Sequence, residues 1–152
     1  MSEAEFATPL LLCSGAYASW SDFRFRRLSN PFCLALAALG LLLAATGQGP
    51  QALASQLGHA IAALVAGFAL FAFGVFGGGD AKYYAAVAAW FPLGQGMKLL
   101  GAVSLGGLIV VAFWYAARLL GKRAPADAGD FAMLPFGIAI ALGGVATAWT
   151  MP

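Results

Sequence analysis

Apolar residues fall in six blocks along the chain, at about 6–20, 31–46, 53–76, 81–94, 99–120 and 131–151, broken by short polar or glycine-rich interruptions. A straight helical span needs about 20 predominantly apolar residues. The first, second and fourth blocks fall short of that, so they either extend into their flanks or stop beside a water-accessible cavity. The fourth is the weakest of the six. The pattern predicts an all-α polytopic membrane protein, six transmembrane helices in one bundle, with residues 1–152 forming a single domain. The longest polar connection, 121–130, reads as a loop, and no soluble domain is expected. Small residues recur at four-residue spacing, as at Ala63 and Gly67, Ala85 and Ala89, Gly137 and Ala141, and Gly144 and Ala148. Such pairs let helix backbones approach closely within a bilayer.

Composition agrees: 62% of the residues are hydrophobic and 9% charged, against roughly 45–50% and about 25% in an ordinary soluble domain. A soluble fold of this length could not hide so much apolar surface, so lipid is the expected partner. The basic residues sit in connecting segments rather than along one helical stripe, which argues against nucleic-acid binding. Cys13 and Cys33 lie in apolar stretches without C-x-x-C spacing and read as small buried thiols. The lone His59 has no Cys, Asp or Glu at ligand spacing and reads as a helix-end residue. No metal or other cofactor is expected. The first apolar block is preceded by Glu3 and Glu5 and followed by arginines, the reverse of a signal peptide, so it is expected to be a mature helix.

Charge placement gives an orientation. With six spans and the N-terminus outside, seven of the eight Lys and Arg residues fall on the inner side. These are Arg24, Arg26, Arg27, Lys82, Arg118, Lys122 and Arg123; only Lys98 falls outside. The positive-inside rule then puts both termini outside and the 121–130 loop in the cytoplasm.

Six acidic residues remain to be placed. Glu3 and Glu5 belong to the N-terminal tail, and Asp127 and Asp130 to the polar loop. Asp22, just after the first block, and Asp80, at the start of the fourth, are left over. Two spans separate them, so both emerge on the same, cytoplasmic, side. Ionisable residues in or beside spans are costly and are candidates for function. Gly77-Gly78-Gly79 precedes Asp80; glycine permits positive φ and close backbone approach, so an extended peptide could reach the acid. A helix beginning at Ala81 would aim its N-terminal dipole at Asp80. The blander alternatives are that Asp80 is an N-cap and that Asp22 balances the neighbouring arginines. Two carboxylates in contact would share a proton. The ionised one could then activate water while the protonated one donates to a carbonyl oxygen.

The segment Gly77-Gly78-Gly79-Asp80-Ala81-Lys82 resembles the GxGD motif, followed by a lysine, of type IV prepilin peptidases. Asp22-Phe23-Arg24-Phe25-Arg26-Arg27-Leu28-Ser29-Asn30 is similar to the first-aspartate region of that family, D-x-x-x-R-R-I-P-N. Leu134-Pro135-Phe136-Gly137 is similar to its late proline–aromatic–glycine element. The resemblance implies a peptidase of the bacterial inner membrane. It would cut a short basic leader from prepilin substrates at the cytoplasmic face, with Asp22 and Asp80 catalytic and no cofactor. Gly77 and Gly79 would shape the turn, and Pro135 and Gly137 would line the site. Lys82 either contacts substrate or anchors its helix by snorkelling. The brief first connection and the absence of paired C-x-x-C motifs make the chain similar to the minimal members serving tight-adherence (Flp-type) pili.

Ser29 and Leu28 depart from the family's proline and isoleucine, and Tyr83-Tyr84 from its small aliphatics, which bears on substrate fit. Two other readings remain. A presenilin-like or signal-peptide-peptidase-like enzyme would place its first aspartate inside a span after a tyrosine, whereas Asp22 follows Ser21 at a span end. A small non-enzymatic transporter or assembly subunit would hold its carboxylates near mid-span. The orientation is testable with alkaline phosphatase fusions. A fusion within 121–130 is expected to be inactive and one at the C-terminus active; the opposite pattern would reverse the assigned faces.

Overall fold

The computed structural model describes residues 3–25, 28–74, 76–120 and 136–150, without the side chains of residues 3–6, 22, 23, 25, 114, 117, 118 and 120. These residues form six α-helices: α1 (Glu3–Phe25), α2 (Asn30–Leu43), α3 (Pro50–Ala72), α4 (Gly78–Ala88), α5 (Gly96–Leu120) and α6 (Phe136–Trp149). No strand occurs among the described residues. Each expected block has a helix, with shifted ends; residues 131–135 of the last block lie outside the described residues.

Among the described residues, three stretches are long and apolar enough to cross a membrane: Asn30–Gln48, Pro50–Ala72 and Leu93–Phe113. The outward faces carry Leu34, Val65, Leu108 and Phe113 in the open, as expected of surfaces that meet lipid rather than water. The chain is therefore a multi-pass membrane protein. Of the other three helices, α6 is apolar but has only 14 residues, α4 has 11, and α1, with 23, carries polar positions at both ends.

Local chemistry explains the helix ends. After Leu43 the second helix loosens into a π-helical turn, Ala44–Gln48, and Gly49 closes it at φ 87°. Pro50 then opens α3, where its missing N–H is no loss. Beyond α3, Gly74 takes φ 71° and returns its N–H to the Phe71 carbonyl at 2.9 Å. A glycine in the left-handed region is a common way to stop a helix.

The weakest block in the sequence proves to be the centre of the fold. In α4, Ala81, Tyr83, Ala85, Ala86, Val87 and Ala88 are all buried, and the helix packs on α2, α3 and α6, while α6 packs on α1 and α5. Small residues allow this. A Cβ at Gly67 would lie 2.9 Å from the Ala81 Cβ, and one at Gly144 would lie 2.9 Å from a Val87 methyl. The small pairs marked in the sequence at 63/67 and 85/89 are buried at both positions. At about 1.5 Å per residue α4 covers only about 16 Å of a hydrocarbon core about 30 Å thick.

The far end of α4 is closed by side chains from its neighbours. The Trp90 indole N–H donates to the Leu36 carbonyl at 3.0 Å, in the space left by Gly40. His59 Nδ1 pairs with the Phe91 carbonyl at 2.9 Å, and Ser55 Oγ accepts the Leu93 N–H at 3.0 Å. His59 is thus not a helix-end residue. It is the tenth residue of α3, 4% exposed, and it satisfies a carbonyl released where α4 stops. Of the two thiols, Cys33 is buried as expected, whereas Cys13 is exposed.

Helices α5 and α6 approach closely at Gly143, where a Cβ would lie 2.7 Å from the Val103 backbone nitrogen. Gly143→Ala is expected to lower stability by about 1–3 kcal/mol through overpacking. Gly101→Ala, facing open space, is expected to be neutral or stabilising by up to about 1 kcal/mol. Thermal unfolding in detergent measures both, and equal effects would contradict this packing.

Candidate functional site

The α4 helix starts three residues earlier than the sequence implies. Gly77 is its N-cap, at φ −72° and ψ 140°, and Gly78, Gly79 and Asp80 form its first turn. The first helical bond runs from the Ala81 N–H to the Gly77 carbonyl at 3.0 Å. Asp80 is therefore not the cap but the third helical residue, the position from which an acidic side chain reaches back over the N-cap. It does so here: a Cβ on Gly77 would lie 2.6 Å from Asp80 Oδ2. The first-turn N–H groups and the helix dipole favour a negative charge at this place.

The glycines serve close approach rather than positive φ. Among the described residues the positive-φ glycines are Gly49 and Gly74, neither in the triplet. Gly77 makes room for the Asp80 carboxylate. Gly78 faces the Phe71 ring, 3.3 Å from a built Cβ, and Gly79 faces Leu28, whose Cβ would be 3.7 Å away.

Asp22 lies in the last turn of α1, which ends at Phe25. It follows the buried Ser21 and stands four residues beyond the buried Ala18. Its carboxylate lies outside the described part of the structure. The segment it heads nevertheless meets α4. Leu28 is buried against Gly79, and Lys82 Nζ donates to Asn30 Oδ1 at 2.9 Å across 52 residues of sequence. Lys82 is thus engaged with the start of α2. Asn30 went unmarked in the sequence, although it is the final residue of the segment that begins at Asp22.

The third element arrives from α6. The Phe136 ring stands edge-on to Phe76, the residue before Gly77, with centroids 5.6 Å apart and planes at 80°. Gly137 is buried beside it; Pro135 lies outside the described residues. The segments following Asp22, surrounding Asp80 and opening α6 therefore meet at one end of the bundle. Tyr83, expected to bear on substrate fit, is fully buried, with its ring 6.1 Å from Phe32 and its hydroxyl near Gly15. It belongs to the core. Tyr84 is half-buried.

A sequence profile of the Type IV leader peptidase family matches residues 10–120. That stretch includes Asp22, Asn30, Gly77, Gly79, Asp80 and Lys82 and stops short of Pro135 and Gly137. No curated protein and no solved structure matches the chain.

The tight fit of Asp80 over Gly77 is testable without any assay of function. In protein labelled with 13C-aspartate, Gly77→Ala is expected to move the Asp80 carboxyl resonance, because the new methyl takes the space of Oδ2. Gly79→Ala, with only an ordinary contact to Leu28, is expected to leave it in place. An unmoved resonance in Gly77→Ala would refute the arrangement.

Proposed function

The chain belongs to the type IV leader peptidase family, and from that premise we propose that it is a membrane-embedded aspartic endopeptidase using Asp22 and Asp80. Its substrates are prepilins of the Flp type, from which it removes a short basic leader at the cytoplasmic face of the bacterial inner membrane. All six helices span or enter the bilayer as one unit, with both termini outside.

One observation supports this reading above the others. The segment headed by Asp22 and the turn bearing Asp80 are joined at one end of the bundle, by Lys82 on Asn30 and by Leu28 on Gly79. Carboxylates held near mid-span for ion transport would have no need of that junction. The N-terminal turn of α4, with no side chains at positions 77–79, lets the Asp80 carboxylate, Phe71 and Leu28 close in on its backbone, which packs the turn bearing Asp80 against the segment headed by Asp22.

The chemistry needs one carboxylate ionised and the other protonated. The ionised group takes a proton from water as the water oxygen attacks the scissile carbonyl carbon. The protonated group gives its proton to the carbonyl oxygen, forming a neutral tetrahedral diol. On collapse the C–N bond breaks, and the leaving nitrogen takes the proton that came from water. The diol returns its proton to the second carboxylate, which restores the starting state. Each carboxylate acts once as acid and once as base.

Co-expression with a prepilin, followed by a gel shift for leader removal, tests the pair. Wild type is expected to process the substrate; Asp22→Ala, Asp80→Ala and the corresponding Asn variants are each expected to abolish processing. Normal processing in any one of the four would exclude the two-carboxylate mechanism.

A further inference from the structure

We propose that Asn30 and Lys82 are positioning residues whose hydrogen bond holds the end of α1 against the first turn of α4, in register for the reaction. The inference rests on the two-aspartate reading above. Lys82 lies two residues beyond Asp80, and residues at that spacing do not face one another on a helix. Its side chain accordingly runs to α2, where Nζ meets Asn30 Oδ1 at 2.9 Å. Asn30 is the first residue of α2, and Pro31 follows it, with a fixed φ that stiffens the start of the helix.

Only residues 26–29 separate α1 from α2. Whatever fixes Asn30 therefore limits how far the last turn of α1, and with it Asp22, can move from α4. Leu28 seated on Gly79 gives the same connection a second, apolar point of attachment. The pair thus acts on the reaction through the separation of the aspartate-bearing segments rather than by touching substrate. Misplacing reacting groups by about 1 Å can cost about 100-fold in rate.

The test is a mutant cycle in the intact protein. Asn30→Leu and Lys82→Met are each expected to lower kcat about 10- to 100-fold with KM within about 2-fold, a loss specific to the reacting arrangement. The double variant should be no worse than either single one, because both remove the same bond. Lys82→Arg, and the exchanged pair Asn30→Lys with Lys82→Asn, should recover most of the lost rate. Multiplicative losses in the double variant, or an effect confined to KM, would overturn the proposal.

A second readout does not depend on activity. Spin labels at Trp20→Cys and Phe73→Cys, both exposed positions, in a Cys13→Ser and Cys33→Ala background, report the separation of α1 from the α3–α4 junction. The distance distribution should broaden in Lys82→Met and stay narrow in Lys82→Arg. An unchanged distribution in Lys82→Met would refute the strap whatever the enzyme does. Failure of the wild-type protein to cut any prepilin, with the broadening still seen in Lys82→Met, would refute the peptidase reading and leave the strap standing.

Discussion

An eleven-residue helix buried among its neighbours cannot end in lipid, and the groups that close the far end of α4 determine where its near end lies. Backbone carbonyls and N–H groups released at a helix end inside an apolar environment each cost several kcal/mol unless they find partners. Here Trp90 reaches the Leu36 carbonyl, His59 meets the Phe91 carbonyl, and Ser55 accepts the Leu93 N–H. His59 is the tenth residue of α3, so α4 stops level with a point about 14 Å along that helix from its start. The remaining length of α4 then brings Asp80 level with the closing turn of α3. Gly67 lets Ala81 sit directly on the α3 backbone, which removes play between the two helices. The position of the candidate site is thus fixed from the opposite end of α4, by residues that take no part in its chemistry.

Much of this was legible in the sequence, and what was missed has physical causes. Six apolar blocks correspond to six helices, because hydropathy depends on composition and survives errors in the boundaries. The rank of α4 was misjudged for the same reason. Lys82, Tyr83 and Tyr84 lower its hydropathy, whereas its alanines are what allow burial on all sides. The glycine triplet before Asp80 offers both positive φ and close approach, and the structure uses the second, the missing Cβ, since the backbone at Gly77 is extended. The helix begins at Gly78 rather than Ala81, because glycine costs little in a first turn, where the chain is only entering the helix. His59 looked idle since its partner is a backbone carbonyl 32 residues away, and carbonyls carry no sequence signal. The two cysteines looked alike in sequence, and only the helix face separates exposed Cys13 from buried Cys33.

The meeting of three distant segments at one end of the bundle is a different kind of information. Residues 22–30, 77–82 and 134–137 are each conspicuous alone, and topology requires the first two to share a side. Topology could not supply the links, namely Leu28 on Gly79, Asn30 with Lys82, and Phe76 with Phe136. These are ordinary side chains, and they become informative only once paired.

The neutrality of the partner chosen for Lys82 carries the argument furthest. An aspartate at position 30 would bind the ammonium group more tightly than an amide does. It would also bring a further carboxylate to a place where, on the proposed mechanism, two acids must divide a single proton between them. Each added negative charge raises the cost of ionising its neighbours, so a third acid would compete for the proton and blur the distinction between acid and base. Asparagine accepts the same hydrogen bond without taking part in that titration. A lysine carboxylate pair would also leave less positive charge at the membrane face, where the fold needs it for orientation. The strap is therefore expected to hold register without adding a titrating acid beside the aspartates, and to keep the positive charge of Lys82 at this end of the bundle, a combination that a neutral amide provides and an ion pair does not.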